Sequence, residues 1–388
     1  MTKTSLQQDL TLLGISFALI FLGYAGVQQY VTSYFAEQGQ KMVGFYSLLL
    51  IYLFLALFSH RAAWLVQRYG PKKVMLLSSI VYTGYIVSLS FHSIILILFS
   101  SALLGIAAAH LWVAQQSYLL RMGEEHSYGK RTGRFASLQL VGPLIGIFFL
   151  GFLAEKTSFI TSFVIYAFFP LLGFLLLLFL QERKISDQAR LPEKSSFQDG
   201  FRNSSVFRLS TLWFTFAVVF GVMVSRIPLQ INASLGVRYV GVLSSLFYLV
   251  PIVTSSSWGT ISDLVGRERV VFWSYGMAGF SILALFFSDF SPIFLLVGML
   301  LLAITKAMIT PIQTALVGDV AATSKIESFS AMSLTAQHLG VIVGLLAASV
   351  NSIHLMYALS LLIVVFSFFF VYPLLKMKFS YLRSLELK

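Results

Sequence analysis

The chain has 388 residues, of which 57% are hydrophobic and 11% charged, with a mean hydropathy of +0.85. A water-soluble chain of this length could not bury so much apolar surface, so the composition predicts an all-α integral membrane protein. The net charge of +12 could indicate a nucleic-acid partner. However, the basic residues lie in short loops between apolar spans, where membrane topology accounts for them. We therefore expect a lipid bilayer as partner and no nucleic acid.

Apolar stretches of about 20 residues, the length that crosses about 30 Å of hydrocarbon, recur twelve times along the chain. They are residues 11–33, 42–66, 73–92, 95–120, 135–155, 159–181, 207–230, 238–262, 270–288, 292–318, 328–350 and 353–376. The first of them is too long for the apolar core of a cleavable signal, so we expect it to remain as a helix.

The distribution of basic residues predicts the orientation of these spans. With the N-terminus inside, 22 of the 27 Lys and Arg residues fall on the cytoplasmic side and three on the other, and two lie within spans. By the positive-inside rule, both termini are cytoplasmic. We expect a multi-pass protein of the plasma membrane.

The longest polar stretch, residues 182–206, divides six spans (1–181) from six (207–388). Glycines recur across this linker at nearly one offset. Gly70 matches Gly266 at 196 residues, and Gly23 matches Gly221 at 198. GPLIG in the fifth span matches GVIVG in the eleventh, also at 198. The repeat predicts two pseudo-symmetric six-helix bundles.

Two loops at repeat-related positions carry a recognisable motif. The loop after the second span contains Arg68, Gly70, Lys72 and Lys73, and the loop after the eighth contains Asp263, Gly266 and Arg267. Both resemble the G-x-L-A-D-R-x-G-R-K signature of major facilitator superfamily transporters. The first copy has Ala63 and Gln67 in place of the signature's opening Gly and its Asp, and the second has Leu264 in place of its Arg. The resemblance implies gate contacts between helices; alternatively, the charges only anchor the cytoplasmic face.

A narrower resemblance covers about the first hundred residues of the spans. The stretches FLGYAGVQQYVTSYF (21–35), RYGPKKVML (68–76) and GIAAAHLWVAQQSYL (105–119) are similar to the branch related to the "uncoordinated" ion-channel regulatory proteins. That branch includes proteins regarded as regulators or trafficking partners. The resemblance therefore implies an alternative function, a transporter-like protein that regulates or chaperones a partner.

Lys306 lies near the middle of the tenth span, with Thr310 and Gln313 on its helical face at i+4 and i+7. A charge at mid-membrane costs about 2.5 to 3.5 kcal/mol on insertion scales and usually faces a cavity or a partner. The 198-residue offset makes Trp112 and Gln115 of the fourth span equivalent to Thr310 and Gln313. Since spans 1, 4, 7 and 10 line the cavity of the superfamily, the resemblance implies that these residues face the substrate path.

Four further polar residues are candidates within spans. Gln28 and Arg226 match at the same offset in spans 1 and 7, although Arg226 could instead extend to the outer interface. His110 and His338 are candidates for proton coupling. For His110 the helical rotation places the ring away from Trp112, and for His338 a hydrogen bond between helices is the simpler interpretation.

All fifteen acidic residues lie in predicted loops, tails or span ends, so no carboxylate neutralises Lys306 at its depth. This favours an anionic or neutral substrate over a cationic one. The chain has no cysteine, and it lacks nucleotide-binding and metal-site motifs, so we expect no enzyme activity, no cofactor and no metal. The sequence predicts a monomeric secondary transporter that moves a small organic solute by alternating access.

Overall fold

The computed structural model describes residues 3–91, 93–122, 127–182, 204–235, 237–321, 326–347, 350 and 352–376, and almost all of them are helical. The α-helices of the described part are α1 (Lys3–Glu37), α2 (Lys41–Tyr69), α3 (Pro71–Ser88), α4 (Ile94–Leu120), α5 (Tyr128–Lys156), α6 (Phe159–Leu177), α7 (Ser204–Leu235), α8 (Val237–Val265), α9 (Arg267–Phe286), α10 (Pro292–Val320), α11 (Ile326–Ala347) and α12 (Ile353–Leu375). A 3₁₀ turn, Leu89–Phe91, follows α3. Each predicted span overlaps one of these helices.

Within the described residues, ten helices are long and apolar enough to cross a bilayer, namely α1 to α6 and α9 to α12. Helix α7 contributes a shorter apolar stretch, Phe207–Met223. Many large apolar side chains on these helices are exposed, as expected for surfaces that contact lipid tails rather than water. The predicted linker, residues 182–206, lies largely outside the described residues, as does the C-terminal tail from residue 377.

The repeat is visible in two backbone turns. Gly70 separates α2 from α3 with φ 86° and ψ 152°, and Gly266 separates α8 from α9 with φ 100° and ψ 142°. This region of backbone space is close to that reserved for glycine, since a Cβ atom would clash there. The predicted correspondence of Gly70 with Gly266 therefore has a conformational basis.

The chain forms two compact units. One contains residues 1–123 and 135–190, and the other contains residues 124–134 and 191–388. Within the first, α2 packs on α4 and α1 on α6; within the second, α7 packs on α11 and α10 on both α8 and α9. The start of α5 groups with the second unit. The predicted division at residues 182–206 instead assigns all of α5 to the first bundle.

The GPLIG and GVIVG segments serve helix packing in their respective units. A Cβ atom at Gly142 or Gly146 would meet the backbone of α1, and one at Gly340 or Gly344 would meet the backbone of α7. Small residues four positions apart allow two membrane helices to approach closely. The repeat therefore preserves a close helix crossing, α5 on α1 and α11 on α7.

Candidate functional site

Lys306 lies at the centre of α10, 14 residues from each end of Pro292–Val320. Its side chain is half-buried, as are those of Thr310 and Gln313, the residues predicted to share its face. From residue 307 to residue 320, the side chains with any appreciable exposure are those of Thr310, Gln313, Thr314 and Asp319. The polar stripe thus lies on the accessible side of a helix that is otherwise buried.

Two aromatic rings of α8 enclose the ammonium group of Lys306. Its Nζ lies 4.2 Å from the ring centroid of Phe247 and 4.3 Å from that of Tyr248. Cation–π contacts of this kind contribute about 0.5 to 2 kcal/mol each, with the larger values when water is excluded. Among the residues described, no carboxylate forms an ion pair with Lys306. Nothing in the sequence distinguishes these two rings, since aromatic residues are too common in this chain to be a signal.

The corresponding part of α4 carries no charged residue. Trp112 is half-buried and its ring contacts Phe17 and Phe21, with centroid distances of 5.7 and 5.1 Å. Gln115 is only 2% exposed. The next residue, Gln116, was not predicted; its buried Oε1 accepts no hydrogen bond from the described residues. The fourth helix therefore offers an indole and two amides where the tenth offers an amine and an amide.

Gln28 is half-buried on α1, and its amide Nε2 donates a hydrogen bond of 2.6 Å to the hydroxyl of Tyr52 on α2. Its repeat partner Arg226 lies on α7, but the side chain of Arg226 is outside the described residues. Tyr52 had no distinguishing signal in the sequence, because the contact depends on how α1 and α2 are rotated against each other. The predicted pairing of Gln28 with Arg226 stays a prediction.

The two histidines differ in their surroundings. His338 is buried on α11, and its Nδ1 lies 2.7 Å from the carbonyl oxygen of Leu334, one turn earlier in the same helix. His110 is half-buried on α4, and its Nε2 has no hydrogen-bond partner among the residues that the structure describes. A buried ring nitrogen of this kind is available to a water molecule or to a solute.

The first predicted gate loop holds its cations at the surface of its unit. The guanidinium carbon of Arg68 lies 5.2 Å from the ring centroid of Trp64 and 5.5 Å from that of Tyr69. Lys72 donates a hydrogen bond of 2.8 Å to the carbonyl oxygen of Leu178 at the end of α6, and Lys73 is exposed. Lys72 therefore complements the negative end of a helix dipole.

The second predicted gate loop forms a compact ion network. Arg267 is 7% exposed and contacts Asp263 at 2.5 Å through Nη2 and Asp319 at 2.8 Å through Nε. Asp263 also accepts hydrogen bonds from the backbone N–H groups of Gly129 and Lys130, at 3.0 and 2.8 Å. A carboxylate at the start of α5 satisfies donors that a helix leaves unpaired.

The opening glycine of the motif belongs to the same contact. A Cβ atom at Gly259 would meet the carbonyl oxygen of Gly129, and one at Gly129 would meet that of Gly259. The first turn of α5 can therefore approach α8 only because both residues are glycines. Asp319, the third member of the ion network, was not predicted, since it lies 52 residues beyond Arg267.

Within the described part of the chain, no group of three His, Asp or Glu side chains is arranged to hold a metal ion. The candidate residues supply an ammonium group, a hydroxyl, amides and aromatic faces at the middle of long apolar helices. Such groups can bind a solute. Together with the ten helices of the described residues that are able to cross a bilayer, these features define a multi-pass helical membrane protein.

The comparison with protein families is decisive for the fold. The Major Facilitator Superfamily profile matches residues 10–238 and 226–380, so the chain belongs to this superfamily of transporters. Its structure is similar to that of the human organic anion transporter MFSD10, with a TM-score of 0.76, 13% identity, and coverage of 96% of this chain and 100% of the other. It is also similar to the proton:xylose symporter XylE, with a TM-score of 0.75, 13% identity, and coverage of 96% and 95%.

Similarity in sequence indicates a particular branch. Protein unc-93 homolog A of Homo sapiens is 31% identical over 149 residues, which is 37% of this chain and 31% of the human protein. The UNC93-like protein MFSD11 of Xenopus tropicalis is 31% identical over 157 residues, covering 38% and 34%. UNC93-like protein 3 of Arabidopsis thaliana is 28% identical over 191 residues, covering 45% and 40%. The matches thus span about a third of the length of these relatives, and they confirm the resemblance found in the sequence.

Proposed function

We propose that the protein is a secondary transporter that moves a small organic solute, anionic or neutral, across the plasma membrane by alternating access. We also propose that the chain crosses the membrane twelve times, has both termini in the cytoplasm and acts as a monomer. The observation that carries it is Lys306, a cation at the centre of α10 that lies against two rings and, among the described residues, pairs with no carboxylate. A cation in this position favours a solute that supplies the negative charge. Similarity in fold to a human organic anion transporter is consistent with this choice.

In this proposal, Lys306, Thr310 and Gln313 bind the solute. Trp112, Gln115, Gln28 and Arg226 are proposed as substrate-binding residues as well. The half-buried polar stripe on α10 and the half-buried Trp112 on α4 support these roles, whereas Gln115 is buried. His110 and His338 are proposed for proton coupling, with His110 the better candidate because its Nε2 has no partner among the described side chains and backbone.

The gate role is proposed for both motif loops. The second loop supports it best, because Arg267 links Asp263 and Asp319 from two different helices. The first loop contributes Arg68, Gly70, Lys72 and Lys73, and the second contributes Gly266 as well. An ion network that joins helix ends can stabilise one state of a carrier and open in another.

The test of the transport proposal compares two Lys→Ala variants in proteoliposomes. Lys306→Ala removes the central cation, whereas Lys156→Ala removes a lysine that also lies over a ring, that of Phe152 at 4.3 Å, but at the end of α5. We expect solute flux to be lost in Lys306→Ala and kept in Lys156→Ala, with equal protein incorporated. Solutes are chosen beforehand by thermal shift of the purified protein. Unchanged flux in Lys306→Ala for every solute that the wild type moves would contradict the site.

A second candidate function is regulation or trafficking of a partner protein. The observation in its favour is the similarity to UNC93-type proteins, which is confined to part of the chain. Co-purification of a stoichiometric partner from native membranes, with no flux of any solute in proteoliposomes, would support this function. Flux that depends on Lys306 would exclude it as the sole activity.

A further inference from the structure

The surroundings of Lys306 carry information about the solute beyond its charge. Phe247 and Tyr248 are consecutive residues, and their rings stand almost perpendicular, at 84°, with centroids 6.2 Å apart. The ammonium group lies close to both centroids, so it sits in the corner that the two rings form. Phe220 of α7 packs edge-on against Phe247 at 5.6 Å. Lys306 is therefore enclosed on two sides by aromatic surface.

The two rings differ in accessibility, and this difference assigns them different roles. Phe247 is 3% exposed and is fixed between Phe220 and the lysine. Tyr248 is half-buried and is the more accessible of the two residues. The buried Phe247 can hold the ammonium group in position, and the half-buried Tyr248 can also contact a bound solute.

Ring faces attract a cation without neutralising it. A carboxylate partner would cancel the charge of Lys306 and compete with an anionic solute, whereas a ring quadrupole leaves the net charge in place. Lys306 can therefore form an ion pair with an incoming anion while it keeps its contacts with the rings. The aromatic corner is suited to a lysine that must bind and release an anion repeatedly.

The composition of this corner also selects among anions. Phosphate-binding sites generally use several donors, such as an Arg fork or a helix N-terminus, because a small, strongly hydrated anion must regain the hydrogen bonds that it loses. Among the described side chains of this corner, Lys306 supplies the ammonium group, with the hydroxyl of Thr310 and the amide of Gln313 further along the helix. An ammonium group beside apolar rings matches a carboxylate that carries an apolar body.

We propose that Lys306, Phe247 and Tyr248 form a recognition site for an organic monocarboxylate with an aromatic body, and that the two rings determine this specificity. The carboxylate pairs with the ammonium group, and the aromatic body packs against the half-buried Tyr248 in an offset or edge-on arrangement. This inference rests on the proposed function, since it assigns a substrate class to the same lysine. It adds two residues of α8 whose contribution can be separated from that of Lys306.

The experiment measures binding to the purified full-length protein and flux in proteoliposomes, with four probes. Benzoate carries the carboxylate and the aromatic ring, cyclohexanecarboxylate keeps the charge and the size, benzamide keeps the ring and removes the charge, and inorganic phosphate is the small hydrated anion. We expect the wild type to bind benzoate more tightly than the other three.

The variants Tyr248→Leu and Phe247→Leu/Tyr248→Leu test the rings. We expect benzoate affinity to fall about 2- to 30-fold, the range of a lost cation–π or aromatic contact, and cyclohexanecarboxylate affinity to fall less. Phe280→Leu, at a ring that is 65% exposed on α9, is the control and leaves both unchanged. Tyr248→Leu alone keeps the test valid if the double variant does not fold, because Tyr248 is not fully buried.

The outcomes separate the two proposals. If Lys306→Ala abolishes benzoate binding and the leucine variants leave the benzoate-to-cyclohexanecarboxylate ratio unchanged, the ring proposal is overturned and the transport site stands. If phosphate or benzamide binds as tightly as benzoate in the wild type, the monocarboxylate class is overturned. If Lys306→Ala binds benzoate like the wild type, both proposals fail.

Discussion

The two motif loops have the same backbone turn and different chemistry. Gly70 and Gly266 adopt the same left-handed conformation at repeat-related positions. In the second loop, Gly259 and Asp263 both contact the first turn of α5, and Arg267 joins Asp263 to Asp319. In the first loop, Ala63 and Gln67 replace that glycine and that aspartate, and Arg68 lies over rings instead.

The two copies of the motif retain the glycine that the backbone turn requires. They differ at the residues that serve one particular contact between helices. The glycine turns recur because only glycine adopts that conformation without strain. The opening glycine and the aspartate occur together in the second copy because they serve one helix crossing, and both are replaced in the first. Four tests of this difference follow from the structure, each measured as a change in thermal unfolding in detergent.

The largest effect is expected for Arg267→Ala. Removing the guanidinium leaves Asp263 and Asp319 close together without the cation between them, and breaking a buried ion pair costs on the order of 3 kcal/mol. Arg68→Ala, the control in the first motif loop, removes an exposed cation and should change stability far less. Equal destabilisation by the two variants would contradict the contrast between a buried ion network in the second loop and an exposed cation in the first.

Gly259→Ala should be the next most severe change, at about 2 to 3 kcal/mol. The added methyl group would meet the backbone of Gly129 and force α8 away from the start of α5. Gly276→Ala on α9 is the matched control, because a Cβ atom there meets nothing within 4 Å. A Gly259→Ala protein as stable as the control would refute the close crossing.

Gly70→Ala and Gly266→Ala should each cost about 1 to 2 kcal/mol, through the strain of a Cβ atom at positive φ. The expected result is near equality, since the turn is the part that both copies retain. A loss confined to one of the two variants would mean that the turn is needed in that copy alone.

The smallest effect is expected for Gln67→Asp, which restores the motif residue that the first copy lacks. Because Arg68 lies over Trp64 and Tyr69, its guanidinium is already engaged with these rings, and stability should change by less than about 0.5 kcal/mol. A clear gain in unfolding temperature would instead reveal a cation already placed to receive it.

Much of the fold could be predicted from local patterns. Each of the twelve apolar spans predicted from hydropathy overlaps a helix. The physical reason is that a segment in lipid must satisfy its own backbone hydrogen bonds. Glycine spacing indicated the repeat, and helical periodicity placed Thr310 and Gln313 on the accessible face with Lys306. The membrane crossing of α7 and α8 and the orientation of the termini stay predictions.

The sequence by itself determined the membrane as solvent, the helices, the glycine turns and the central lysine, since all of these depend on residues near one another in the chain. Only the tertiary structure decided the partners: the rings of Phe247 and Tyr248 around Lys306, Tyr52 beside Gln28, and Asp319 beside Arg267. The physical reason is that contacts between helices depend on their rotation and packing against each other. Hydropathy and periodicity describe each helix separately and contain no information about that relation.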